Sequence, residues 1–303
     1  MLSQQQADDY QKNGYLALEN WVDDTWLSRL SAASDYHVER SKGLTESGKG
    51  LDLEPDHTAE RPRLRRLTSP VDHDDTFREF ALEGPAAALA QAILGGPVRF
   101  HHSKLNYKWS DGGEEVKWHQ DIQFWPHTDF SPLTIGVYLD DVDDEMGPMG
   151  ILPGSHRGPL FDQYAADGTW AGSISDEDAA TLPISQVEWL KGAAGTVTVH
   201  NCCAVHGSMP NHSPRVRRLL LQTYSHCDAF PIKHAGANGN LGRYGGLLIG
   251  GQNAQSLTIS GRSFRCAPDW SAGKVPTIFG SQQKEQRHSK QEHRRSALRK
   301  KTS

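Results

Sequence analysis

GTVTVHNCCAVHGSMPNHSPRVRRLLLQTY, residues 195–224, reads as two apolar strands around a polar turn. Val and Thr alternate up to His200, the stretch from Gly207 to Pro214 is rich in turn residues, and a second apolar run starts at Arg217. His206 stands where the first strand gives out, and Arg217 opens the return strand. Working outward, segments of the same texture recur over 98–109, 117–124, 133–139, 150–152 and 184–189, with Gly, Pro, Asp and Asn between them. Many short strands at this spacing predict a sandwich or a barrel.

Before residue 98 the period changes. Ser3-x-x-Gln6 resembles a capping box ahead of a helix that ends at Gly14. A short strand is expected over 15–18, a helix over 24–39 and a helix over 77–94, with Pro85 where a first turn tolerates it and Gly95-Gly96 at the end. Residues 41–63 are polar and longer than most connections, so they are either a mobile loop over a site or an ordered wrap.

Composition narrows the class. A chain of 303 residues can bury a full core without a disulfide or metal staple. No apolar run approaches the roughly 18–20 residues that span a bilayer, and the polar start lacks the parts of a signal peptide, so no membrane partner is expected. The four cysteines show no CxxC spacing and fit reduced thiols, hence a cytoplasmic protein. The net charge of −5 averages two unlike parts: +6 over 282–303 and −11 over the rest. The basic end is almost free of apolar residues and is expected to be disordered, leaving one domain over 1–281. An acidic body argues against nucleic acid as the main ligand.

The chemistry concentrates in Trp118-His119-Gln120-Asp121. On a strand, residues two apart share a face, so His119 and Asp121 present an imidazole and a carboxylate side by side while Gln120 points away. That is two thirds of a facial triad for non-haem Fe(II). His206, facing back from a distant strand, completes it. Arg217, eleven residues on, reaches the same cavity with a two-pronged donor suited to a carboxylate. A metal beside such an arginine points to a chelating keto acid as co-substrate.

Three motifs together resemble the phytanoyl-CoA dioxygenase family: His119-Gln120-Asp121, ILPGSHRG over 151–158, and VHGSMPN over 205–211 with Arg217 following. The likeness runs over about 3–252 and includes the opening NGYLALENW. It implies a mainly β fold with α, a double-stranded β-helix of jelly-roll or cupin-like type with the helical N-terminal third packed on it. It implies an Fe(II)- and 2-oxoglutarate-dependent oxygenase that hydroxylates a C–H bond of a small molecule, consuming O2 and releasing succinate and CO2. His119, Asp121 and His206 would ligate iron. Arg217 and Ser208 would hold the distal carboxylate of 2-oxoglutarate, with Tyr138, Asn106 and Lys108 beside it. The carboxylate of Asp121 favours hydroxylation over halogenation. Gly195-Thr196 departs from the family's usual Asp after that glycine, and the glycine-rich 236–251 is foreign to it.

The substrate is less legible. His102, Gln123, Trp125, His127, Phe130, Tyr224 and Arg243 are candidates for the pocket mouth; the plainer alternative packs the aromatics into the rim and leaves Arg243 on a surface loop. His200 reads as a packed core histidine, His156 as a turn cap, and Arg218 as facing away from Arg217. Two competing functions use the same residues: a cupin-like metal hydrolase or isomerase, which leaves Arg217 unexplained, and a non-catalytic barrel that binds a keto acid or a metal.

Overall fold

The computed structural model describes residues 2–110, 113–232, 242–259 and 261–265. The first helix, α1 (Gln4–Asn13), begins as its sequence predicts: Ser3 Oγ accepts from the Gln6 amide, and the Gln6 side chain accepts from the Ser3 amide. The pair satisfies two donors that a helix start leaves orphaned. Gly14 ends the helix at φ 78°, and a Cβ there would run into the His156 ring. Gly14→Ala is expected to lower unfolding free energy by about 1–3 kcal/mol through left-handed strain and the clash together. Urea titration should show a lower midpoint at unchanged slope.

Next come β1 (Tyr15–Leu18) and α2 (Asp24–Ser41), whose N-cap Asp23 accepts from the Trp26 amide. The following polar segment is an ordered wrap. Within it β2 (Leu51–Leu53) pairs with β3 (Leu64–Thr68), and buried Arg63 donates to Asp56 Oδ2 and to Ser110 O, both at 2.6 Å. The single helix expected over 77–94 is interrupted. After the short α3 (Pro70–His73), α4 (Asp75–Leu82) stops and α5 (Pro85–Leu94) restarts, because Pro85 offers no amide and its ring would meet a carbonyl of the preceding turn.

The β region contains β4 (Val98–Lys108), β5 (Val116–His119), β6 (Leu133–Tyr138), β7 (Met149–Ile151), the short helix α6 (Asp176–Ala179), β8 (Glu188–Leu190), β9 (Val197–Asn201), β10 (His206–Ser208), β11 (Arg217–His226) and β12 (Leu248–Ile249). Two of the expected strands are shorter, with 3-10 turns at Asp121–Gln123 and Ile184–Gln186. The strands do not close into a continuous barrel. One antiparallel sheet runs β1-β9-β6-β11-β4-β3-β2 with β12 also on β4; the other runs β5-β10-β7-β8. This is the double-sheet form of a jelly roll.

Alternation sorts the large sheet into two faces. Phe100, Leu105, Tyr107, Leu133, Ile135, Val137, Val197, Val199, Leu220 and Tyr224 join Leu30, Phe77, Phe80, Leu89 and Ile93 of the helices in the main apolar core. Each such side chain contributes about 1.5–3 kcal/mol on burial. The other face turns Lys104, Asn106, Thr134, His200 and Arg217 toward a cavity. Phe100 and Leu105 share a face because of a bulge: Thr223 opposes His102 and Tyr224 opposes Phe100, which leaves His101 as the extra residue.

A separate two-stranded sheet joins β13 (Ser256–Ile259) to β14 (Arg262–Arg265). Among the described residues, internal contacts divide the chain into a first unit, up to Ala254 with Thr258–Arg262, and a second, Gln255–Leu257 with Ser263–Arg265. The cavity belongs to the first. The expected boundary at residue 281 and the basic tail over 282–303 lie outside the described residues, as does part of the glycine-rich stretch. No helix among the described residues is long and apolar enough to cross a membrane. Cys202, Cys203 and Cys227 are free thiols.

Candidate metal centre

Strand pairing brings the two histidines together. In the β5–β10 ladder His206 stands opposite His119, so residues 87 positions apart become cross-strand neighbours with ring centroids 4.1 Å apart. Asp121 lies beyond the end of β5, yet Gln120 keeps an extended backbone (φ −126°, ψ 134°), which returns Asp121 to the face of His119. The Gln120 side chain goes the other way and is latched there: Nε2 donates to Cys203 O at 2.7 Å, and Oε1 accepts from the Phe161 amide at 2.9 Å.

His119 Nε2 lies 3.8 Å from Asp121 Oδ1, and His206 Nε2 lies 3.9 Å from Asp121 Oδ2. Each imidazole uses Nδ1 on a backbone carbonyl, Lys117 O for His119 and Ala204 O for His206, at 2.9 Å in both cases. Nδ1–H as the donor leaves each Nε2 lone pair free for a metal ion beside the carboxylate. The three ligand atoms all lie within 4.8 Å of one another, and no other such group occurs among the described residues. Ligands about 2.1 Å from a common ion lie about 3 Å apart, so shifts under about 1 Å would close the set. Two nitrogens and one oxygen on one side of the ion suit non-haem iron.

The electrostatics agree with that use. Burial pushes both imidazoles down, strongly for His206, so they stay neutral ligands. Burial alone would raise Asp121, but His206, a hydrogen bond from His200 and the charge of Lys104 hold it well below the usual carboxylate range. His200 lines the cavity with its Nε2 3.4 Å from Asp121 Oδ2. It is buried, as the sequence suggests, but it is a neighbour of the carboxylate rather than mere packing.

The cavity, about 80 Å³, is lined from both sheets. That scale suits small ligands, well under the roughly 300–1,000 Å³ of drug-sized sites. Away from the histidines it ends at Arg217, which is 3% exposed. Arg217 Nη1 donates to Gly147 O at 2.7 Å, its Nε is buried without a protein partner, and no described carboxylate pairs with it. Beside it Lys108 Nζ donates to Ser208 Oγ at 2.7 Å and Met209 O at 2.6 Å. Burial and the neighbouring Arg217 push the Lys108 ammonium down to about 7. Asn106 and Ser208 line the cavity; Tyr138 packs with Leu219 and Leu221 and spends its hydroxyl on Leu190 O at 2.8 Å. A charged groove lined by Asp52, Glu54, Arg65 and Arg66 shares Asn106, Val116 and Arg217 with the cavity and forms its approach.

The other expected site residues scatter. His102 sits at the bulge with Nδ1 2.7 Å from His101 Nδ1, and both rings pack near Trp125. Trp125 and His127 are buried beyond the metal ligands, with His127 Nδ1 on Trp125 O at 2.7 Å. Gln123 is tied to Phe161 O and to Gln163. Phe130 is 59% exposed and does not line the cavity. Tyr224 faces the helices, its hydroxyl on Ala81 O at 2.7 Å, because it is an odd number of residues from the cavity-facing Arg217, Leu219 and Leu221. Arg243 is exposed, with its amide on Asp72 and its guanidinium over Tyr244. Arg218 faces away, paired with Asp140 and Asp35. His156 bonds Gln11 O at the end of α1. Sequence reasoning passed over Lys104, which lines the cavity two residues before Asn106 on the same strand face. Strand parity carried that signal.

The sequence matches the phytanoyl-CoA dioxygenase (PhyH) family over residues 10–219. It is 32% identical over 256 residues to a probable alpha-ketoglutarate-dependent hypophosphite dioxygenase of Stutzerimonas stutzeri, covering 84% of this chain and 87% of that one. It is 31% identical over 222 residues to L-proline trans-4-hydroxylase of Streptomyces griseoviridis, covering 67% and 82%. Among solved structures, EctD from S. alaskensis with bound Fe superposes with a TM-score of 0.62 at 26% identity, covering 75% of this chain and 77% of that one.

Proposed function

Because the chain belongs to the phytanoyl-CoA dioxygenase family, we propose that His119, Asp121 and His206 hold its Fe(II) and that Arg217 with Ser208 grips the distal carboxylate of 2-oxoglutarate. The protein is an Fe(II)- and 2-oxoglutarate-dependent dioxygenase. Bound together, iron and 2-oxoglutarate supply the oxidising chemistry, with O2 consumed and succinate and CO2 released.

The observation that carries the residue assignment is the pairing of two things in one small cavity: converging Nε2, Nε2 and carboxylate atoms, and a buried arginine with no carboxylate of its own among the described residues. An unpaired buried guanidinium is costly, and an incoming carboxylate offsets that cost. Lys108 holds Ser208 Oγ in place, and Asn106 borders the chain of the keto acid. The Lys117 and Ala204 carbonyls fix both imidazole tautomers before metal arrives, and the buried walls exclude water from the reacting centre. A hydrolase or isomerase would leave Arg217 idle.

We propose hydroxylation of a small molecule as the reaction and the cytoplasm as its place, the latter in keeping with three free, buried thiols. Hypophosphite, L-proline and ectoine, the compounds named for relatives of this chain (the last for the ectoine dioxygenase of Stutzerimonas stutzeri, 26% identical), are the first compounds to test. Purified protein mixed anaerobically with Fe(II) and 2-oxoglutarate is expected to develop the weak visible metal-to-ligand charge-transfer band. On admitting O2, one of the three should accelerate succinate release. No band in the wild-type protein would refute the iron and keto-acid assignment.

A further inference from the structure

We infer that the substrate is a small anion and that Lys104 is the side chain that binds it, an inference that rests on the iron and 2-oxoglutarate reading of the same cavity.

The argument is one of charge. Asp121 is the one acid lining the cavity, among the described residues. Iron(II) with Asp121 leaves a single positive charge at the metal. The two negative charges of 2-oxoglutarate are matched by that charge and by Arg217 at the far end. Lys108 is not part of the cavity lining; its ammonium is held on Ser208 Oγ and Met209 O at the Arg217 end. Lys104 is then a cation left over. It lines the cavity and is half-buried, and among the described residues no carboxylate or other hydrogen-bond partner meets it.

Its placement separates it from the keto-acid end. Along the inner face of β4 the order is Lys108, Asn106, Lys104, His102, and β11 opposes these with Arg217, Leu219, Leu221 and Thr223 in turn. Arg217 and Lys108 share one end. Lys104 lies two cross-strand rows nearer the metal, one row short of the Thr134–His200 pair. It lines one cavity with His119, Asp121 and His206. Between Arg217 and Lys104 the opposing wall is Leu219 and Leu221, which offer an anion nothing. The other surface arginines near the approach, Arg65 and Arg66, are already paired with Glu54 and Asp52. A cation without a counter-charge among the described residues, in the same cavity as the metal ligands, favours an anion and disfavours a cation; a neutral compound of the same shape would lack the charge-assisted bond.

The test uses the full chain, anaerobic, with Fe(II) and saturating 2-oxoglutarate, and reads perturbation of the charge-transfer band on titration. Sodium hypophosphite, formate and acetate are the anionic probes; acetamide is the neutral match to acetate. The wild type is expected to respond to at least one anion and not to acetamide. Lys104→Met should keep the band and weaken the anion response by about 10- to 100-fold, the loss of one charge-assisted contact. Lys104→Arg should restore most of it. An intact band with no response to any of the anions, a response to acetamide equal to acetate, or an anion response unchanged in Lys104→Met would each overturn the inference. Absence of the band in the wild type would instead overturn the iron and 2-oxoglutarate reading on which it rests.

Discussion

His119→Ala is expected to abolish the Fe(II)·2-oxoglutarate charge-transfer band and to cut substrate-stimulated succinate release by more than about 100-fold. Loss of an outer hydrogen-bond partner of a metal ligand already costs about 10- to 100-fold, and a ligand itself sits closer. The physical reason lies in the ladder. His119 and His206 are cross-strand partners whose Nδ1 atoms are fixed on backbone carbonyls, so neither ring can swing to cover for the other. His200 is no substitute: its Nε2 already faces Asp121 Oδ2. The metal-free stability of the variant should stay near wild type, because His119 is a strand-end residue outside the apolar clusters. Iron should raise the melting temperature of the wild type and leave the variant unmoved, since a ligand stabilises only the state that binds it. A variant that keeps both the band and the iron-dependent shift would remove His119 from the metal centre.

Arg217→Met is expected to weaken 2-oxoglutarate binding by about 2–5 kcal/mol, roughly 30- to several-thousand-fold in Kd, the range for truncating one partner of a buried charge pair. The same change should not destabilise the protein when 2-oxoglutarate is absent. Arg217 is buried with an unpartnered Nε and one hydrogen bond to Gly147 O, and burial holds its guanidinium below its ordinary pKa. An apolar side chain of similar length avoids that desolvation cost. Binding is therefore weakened while stability is kept, a split that a merely structural arginine would not show. Titration calorimetry with 2-oxoglutarate and a melting curve without it provide the two readouts. Unchanged affinity, or a clear loss of metal-free stability, would remove Arg217 from the co-substrate site.

Much of this was legible in residue order. His119 and Asp121 flank one extended residue, and that spacing sends both to one side whether or not the strand continues; the structure ends the strand at His119 and the relation survives. Alternation along 217–224 separates Arg217, turned to the cavity, from Arg218, paired with Asp140 on the other face. The same alternation sets Tyr224 against the helices and Lys104 beside Asn106. The helix expected over 77–94 failed at its proline, where the local rule of a first turn held but for a second helix and not for the same one.

What the sequence by itself determined is the local chemistry: which residues alternate onto one strand face, where helices are capped and broken, and that an imidazole and a carboxylate share a side at 119 and 121. What only the tertiary structure decided is everything set by register between distant strands. His206 meets His119 because β10 pairs with β5 in that alignment and no other. His200 reaches Asp121, and Lys104 meets no counter-charge among the described residues, because the two sheets face one another across a cavity of about 80 Å³. A strand's own period is two residues and needs no partner. Its register depends on the strand it pairs with and on the turns that bring it there, and a slip of one residue would turn every one of these groups to the opposite face.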